Sequence, residues 1–234
     1  MNLSLGELEA LCRKAARGAG FDWGPAEEAG RAVRRLAAFG LPGAELLLVR
    51  LAAGEAEPEG TGAPRSLDGP WRSPAGALCP IHAGTALADA PERLEETARS
   101  EASGRGAEDR RSGELAMHEV IAPLLLVPFA GLAARRLGRP VSLAWSGLVA
   151  IADGEALRLD GERGRVGDER AGTVRCRLLP DGEAPAGEAL ARTTRAHPER
   201  GCVERLDAFA HRTYAPATEE SRARGAGGAV ADDG

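Results

Sequence analysis

Residues 212–222, RTYAPATEESR, bunch side chains suited to anion recognition: Arg212, Tyr214, Thr218, Ser221 and Arg222. Guanidinium forks take carboxylate or phosphate through paired hydrogen bonds, and hydroxyls add single ones. Tyr214 is the chain's only tyrosine, and with Pro216 it suits a turn pinned to a domain surface. The expectation is that 212–222 folds back onto the domain, against the general tendency of termini to be loose. Trp23 joins the same expectation, because it stands beside a helix start, where unpaired backbone N–H groups form a natural anion seat.

Acid–base chemistry would draw on Glu27, His118 or Tyr214, with Arg212 and Arg222 anchoring a substrate. Adjacent helical residues point about 100° apart, so Glu27 and Glu28 do not converge on one atom. Glu27 is placed instead to pair with Arg31, four residues on. In CPIH, Cys79 and His82 have a spacing that two metal ligands could use. Zinc takes more ligands than that and no second pair follows, so a buried thiol and a helix-cap histidine are expected, with no metal or other cofactor. No G-x-S-x-G turn occurs, and the glycines at 225–228 neither follow a strand nor open a helix.

Positioning such groups requires a core, and 43% hydrophobic residues suffice for one in 234. Aromatics are 3%, so Leu, Val and Ala must build it. The net charge of −5, with both signs interspersed, argues against a nucleic-acid footprint. The opening MNLSLGELEA has no basic segment leading into an apolar one, so no secretory signal is read. The most apolar run, 120–134, holds two prolines and falls short of the roughly 20 residues a membrane helix needs. These features predict a soluble, cytoplasmic protein with reduced cysteines at 12, 79, 176 and 202.

Helical periodicity begins after Ser4, which has capping-box spacing to Glu7, and Gly18 and Gly20 are expected to stop that helix. A second helix is expected from Gly24 as N-cap and Pro25 as first residue to Phe39, with Gly40 as terminator. Its small-residue face, Ala26, Ala29, Gly30, Val33 and Ala37, predicts a close-packed hairpin of the two helices. A third helix covers 43–53, residues 54–76 read as a loop, and 77–90 turns helical at Pro80. Residues 91–113 are charged and apolar-poor, which predicts a mobile insert with one exposed helical turn. From Glu114 the pattern is a strand, a buried helix ending at Gly138, strands with Asp-Gly turns at 153 and 160, and a strand near 171–179. A loop over 180–200 and a final helix close the body. The order is α+β: a helical subdomain at 1–53, loop and insert at 54–113, a strand-rich body at 114–212 and a tail at 213–234.

Three strings, AARGAGFDWGPAEEAGRAVRRL, APLLLVPFAGLAARRLGRPV and RTYAPATEESRARGAG, resemble a family of uncharacterised proteobacterial proteins, a domain of unknown function. The resemblance spans nearly the whole chain and implies a bacterial protein but no particular activity or cofactor. The combined expectation is a non-catalytic or accessory module that binds a small anionic metabolite or a partner enzyme, without nucleic acid or membrane. An enzyme acting on a carboxylate- or phosphate-bearing metabolite and a protein-interaction scaffold stand as alternatives.

Overall fold

Ser4 starts the helical layer by satisfying its own helix end. Its hydroxyl accepts the Glu7 N–H at 3.1 Å while the Glu7 carboxylate accepts the Ser4 N–H at 2.7 Å. These reciprocal bonds hold two donors that a helix start otherwise leaves unpaired. The structure, a computed structural model, describes residues 1–56, 62–102 and 114–213. A short strand, β1 (Leu3–Ser4), leads into α1 (Leu5–Gly18), α2 (Trp23–Ala37) and α3 (Gly43–Ala56). After them come α4 (Pro80–Asp89) and α5 (Glu92–Ala102). The body comprises β2 (Glu114–Ile121), α6 (Val127–Leu137), β3 (Val141–Trp145), β4 (Leu148–Ala152), β5 (Leu157–Gly161) and β6 (Arg170–Leu178). It closes with β7 (Glu188–Ala189), β8 (Arg195–Ala196) and α7 (Arg200–His211). The fold is α+β.

The first two helices form the expected antiparallel hairpin. A Cβ on Gly30 would fall 2.8 Å from the Glu9 carbonyl oxygen and 3.2 Å from the Arg13 Cβ, so the backbones meet where only glycine fits. Two details differ from expectation. Gly18 remains helical, and its missing side chain makes room for α7, since a Cβ there would overlap the Phe209 carbonyl. Reversal is left to Gly20, at φ +96°. The second helix starts before Gly24, with Asp22 as its N-cap. Pro25 is tolerated because the N–H groups of a first turn have no helical partner to lose.

The sheet has six antiparallel strands in the order β2-β6-β3-β4-β5-β7, and β1 pairs separately with β8. Asp153–Gly154 makes the expected turn: Asp153 Oδ1 accepts the N–H groups of Glu155 and Ala156, and Gly154 takes φ +97°. Asp160–Gly161 does not make a hairpin. Gly161 ends β5, and the chain passes through a 3-10 turn at Arg163–Gly167 before entering β6 between β2 and β3. The segment expected to be a loop at 180–200 supplies both short strands, because β5 and β1 present edges that it can pair.

α6 starts late, with Pro128 in its first turn and Gly138 (φ +67°) ending it, and it packs on β3 and β4 while touching α4 and α2. That contact joins the helical layer to the sheet. The core is rich in Ala and Leu as composition implied, with Trp71, Trp145, Phe129, Phe209 and Phe21 as its buried aromatics. Trp71 pairs with Met117 and Leu78 with Val120, so the end of the 54–76 stretch, expected to be loop, and the start of the 77–90 segment follow the outer edge of β2. Residues 92–102 also exceed the single turn expected. Leu94 is buried, and α5 packs on β2 and β6. Average polarity concealed one inward side of an amphipathic helix. Residues 103–113 lie outside the described residues. No helix among the described residues is long and apolar enough to cross a membrane.

Candidate functional site

The residues singled out by sequence fall in several places. Trp23 is 67% exposed, and the Arg17 guanidinium lies 4.7 Å from its ring centre. Arg212 caps α7 and stacks over Phe209 at 4.4 Å. Gly18 meets the Phe209 carbonyl, so α7 packs on the end of α1, but among the described contacts none joins Trp23 to Arg212. Glu27 and Glu28 both accept from Arg31, at 3.0 and 2.5 Å, in an exposed cluster on α2. His118 Nδ1 lies 3.1 Å from Thr173 Oγ1 across the β2–β6 pair, which gives it an ordinary cross-strand partner. Tyr214, Thr218, Ser221 and Arg222 lie outside the described residues, as does the expected docking of 214–222. Among the described residues no three His, Cys, Asp or Glu side chains group as metal ligands.

A different set converges. The end of α2, one face of α6 from Val127 to Arg135 and the β4–β5 turn line a cleft of about 230 Å³. Arg35, Arg135 and Arg192 line it with a single carboxylate, Glu155, over an apolar floor that includes Phe39, Val127 and Leu157. Each arginine is placed by a separate part of the fold. Arg135 follows Gly131 by one turn on α6, and its Nη2 donates to the Gly154 carbonyl at 2.9 Å and to Glu155 Oε1 at 2.5 Å. Arg192 is carried by the chain between β7 and β8, pinned by Leu190 N–H to the Leu157 carbonyl and Thr193 N–H to the Ala38 carbonyl. Its guanidinium covers the Phe39 ring at 5.4 Å and donates to the Glu155 carbonyl and carboxylate.

Arg35 completes the cleft from α2. Among the described residues its one hydrogen-bond partner is the Pro128 carbonyl, at 3.3 Å. Burial holds its pKa below the ordinary arginine value, and the like charge of Arg135 adds to that, with Glu155 opposing. Three guanidinium groups and one carboxylate leave an excess of positive charge around the cleft, which favours an incoming anion. Solvent screens part of it, because the Arg135, Arg192 and Glu155 side chains are more than half exposed. A second groove of about 210 Å³ shares Arg35 and Pro128 and includes Arg31, so one expected residue borders the site.

Sequence reasoning missed Arg35, Arg135 and Arg192 for a definite reason. Arg34–Arg35 and Arg135–Arg136 each occupy the last turn of a helix, where the helix dipole already accounts for a basic pair. Nothing in their spacing along the chain marks Arg192 as their neighbour.

Residues 3–71 match a family described as a protein of unknown function (DUF3726). The match takes in α1 to α3 and the stretch up to Trp71, and so contains Arg35 but neither Arg135 nor Arg192. It includes the first of the three strings that carry the resemblance and not the other two. No curated protein and no solved structure matches the chain.

Proposed function

We propose that the protein binds a small, multiply charged anion, a carboxylate- or phosphate-bearing metabolite, in the cleft between α2, α6 and the β4–β5 turn. The observation that carries this reading is the convergence of Arg35, Arg135 and Arg192 from three separate elements on one cavity with a single carboxylate. Planar forks at three points around an apolar floor suit a ligand with more than one acidic group and a short carbon frame. Glu155, the only carboxylate in the lining, is engaged by Arg135 and Arg192, which suits holding those forks in place more than moving a proton. The reading is therefore of a binding or accessory module.

Calorimetric titration with inorganic phosphate, a tricarboxylate and a phosphate monoester tests it, with chloride at matched ionic strength as control. At least one anion should bind saturably, and Arg35→Gln should weaken it by roughly tenfold or more, the loss of one charge-assisted pair. Equal heats from all anions and chloride, or unaltered affinity in both Arg35→Gln and Arg192→Gln, would sink the proposal.

A further inference from the structure

Cys79, His82, Arg50 and Phe21 form a second cluster, remote in character from the arginine cleft. Cys79 is the N-cap of α4, Pro80 its first residue and His82 its third. The Phe21 ring stacks on the His82 ring at 5.5 Å and 13°, and the Arg50 guanidinium of α3 lies 5.0 Å from the Phe21 ring centre. One aromatic ring, from the turn after α1, thereby contacts both a cation of α3 and an imidazole of α4. Arg50 is 8% exposed, and its Nε has no hydrogen-bond partner. His82 Nδ1 is likewise buried and unpartnered. The Cys79 sulfur is the group the His82 ring faces. Arg50, by contrast, is buried as a whole, and since buried polar atoms rarely go unpaired its Nε points to an acceptor that the resting side chains do not supply.

We infer that Cys79 is a site of selective oxidation by hydrogen peroxide or a comparably small, uncharged hydroperoxide. The thiolate Sγ attacks one peroxide oxygen; an S–O bond forms as the O–O bond breaks. Hydroxide leaves and takes a proton to become water, so the sulfur loses two electrons and the peroxide gains them. The sulfenic oxygen supplies an acceptor for the unpaired Arg50 Nε. Size selection follows from the cover. Cys79 has no exposed surface, its N–H donates to the Gly62 carbonyl at 2.8 Å, and a Cβ on Gly62 would lie 2.8 Å from the Cys79 Cβ.

Electrostatics agrees with this placement. Burial is the largest influence on the Cys79 thiol and pushes it up, as it pushes up Cys12 and Cys176. At Cys79, His82, through its ring and its backbone N–H, and the charge of Arg50 together outweigh burial and bring the thiol down to about 7. His82 acts from the third helical position while stopping short of a full cap hydrogen bond. Cys12 and Cys176 have no such cation acting on them, so the protein carries its own inert references.

The test uses the full-length reduced protein near neutral pH. It is exposed to hydrogen peroxide while folded, and the peroxide is removed with catalase. The chain is then unfolded in the presence of dimedone, and the peptides carrying each cysteine are quantified by mass spectrometry. The Cys79 peptide should carry adduct at least about tenfold faster than those of Cys12 and Cys176, and a bulky maleimide should not show that preference. Arg50→Met, checked for native circular dichroism, should slow the Cys79 adduct by about tenfold at the same pH. Equal adduct rates at the three cysteines, or adduct at Cys79 only when the peroxide itself is added in denaturant, would overturn the inference. The wild-type comparison decides alone if the variant does not fold.

Discussion

Among residues, Cys79 links the interior of this protein to pH most directly. The folded thiol titrates at about 7 and the unfolded one near 9.0. Between those values the folded chain binds fewer protons than the unfolded chain, so this thiol's contribution to stability grows as pH rises through the window and is lost below it. Urea denaturation of wild type and Cys79→Ser at about pH 6 and pH 8.5 should show the wild-type advantage growing by roughly 1–3 kcal/mol at the higher pH. Parallel curves would mean the thiol stays protonated when folded. Cys202, pushed up by burial to about 12, works in the opposite sense above the unfolded value, so the window closes on its alkaline side.

At the scale of elements, two contacts decide how the layers assemble. The α1–α2 hairpin depends on the absence of a side chain at Gly30, where the Glu9 carbonyl and Arg13 Cβ leave no space for one. Gly30→Leu should overpack that contact and cost about 1–3 kcal/mol, read as a lower denaturation midpoint. An unchanged midpoint would show that the backbones are not so close. α5 tests the opposite case, a polar stretch whose place depends on one buried apolar side chain. Leu94 is 1% exposed beneath it. Leu94→Ala should cost about 2–5 kcal/mol if α5 is part of the packed body, and nearly nothing if it is a surface appendage.

On the scale of the whole molecule, the last described elements close what the first ones open. α7 packs on α1 through the glycine contact at Gly18, β8 pairs with β1, and the N-terminal ammonium donates to the Pro198 carbonyl at 2.6 Å. Cys12 lies fully buried on α1 and feels Cys202 of α7. A chain ending at Glu199 should therefore expose Cys12 to a thiol reagent while Cys176, within the sheet, keeps its protection. Slow, unchanged reaction at Cys12 would show that α7 is not what covers it.

Local signals in the sequence determined what local chemistry can determine. Ser4 and Glu7 satisfy a helix end within one turn, Pro80 and Pro128 admit helices only from their first turns, and Asp153–Gly154 makes its own turn. The α+β order and the Gly30 hairpin were legible for the same reason: periodicity and small-residue spacing act over a few residues. The sequence also marked Cys79 and His82 by their spacing, but as a thiol and a cap without further chemistry. Tertiary structure alone decided that Arg50 and Phe21 join them, and that Arg35, Arg135 and Arg192 share a cleft. It likewise decided that Gly18 serves a helix contact and that Asp160–Gly161 ends a strand without making a hairpin. Those outcomes depend on which distant backbone arrives alongside, a matter of packing between elements, and no spacing within one element encodes it.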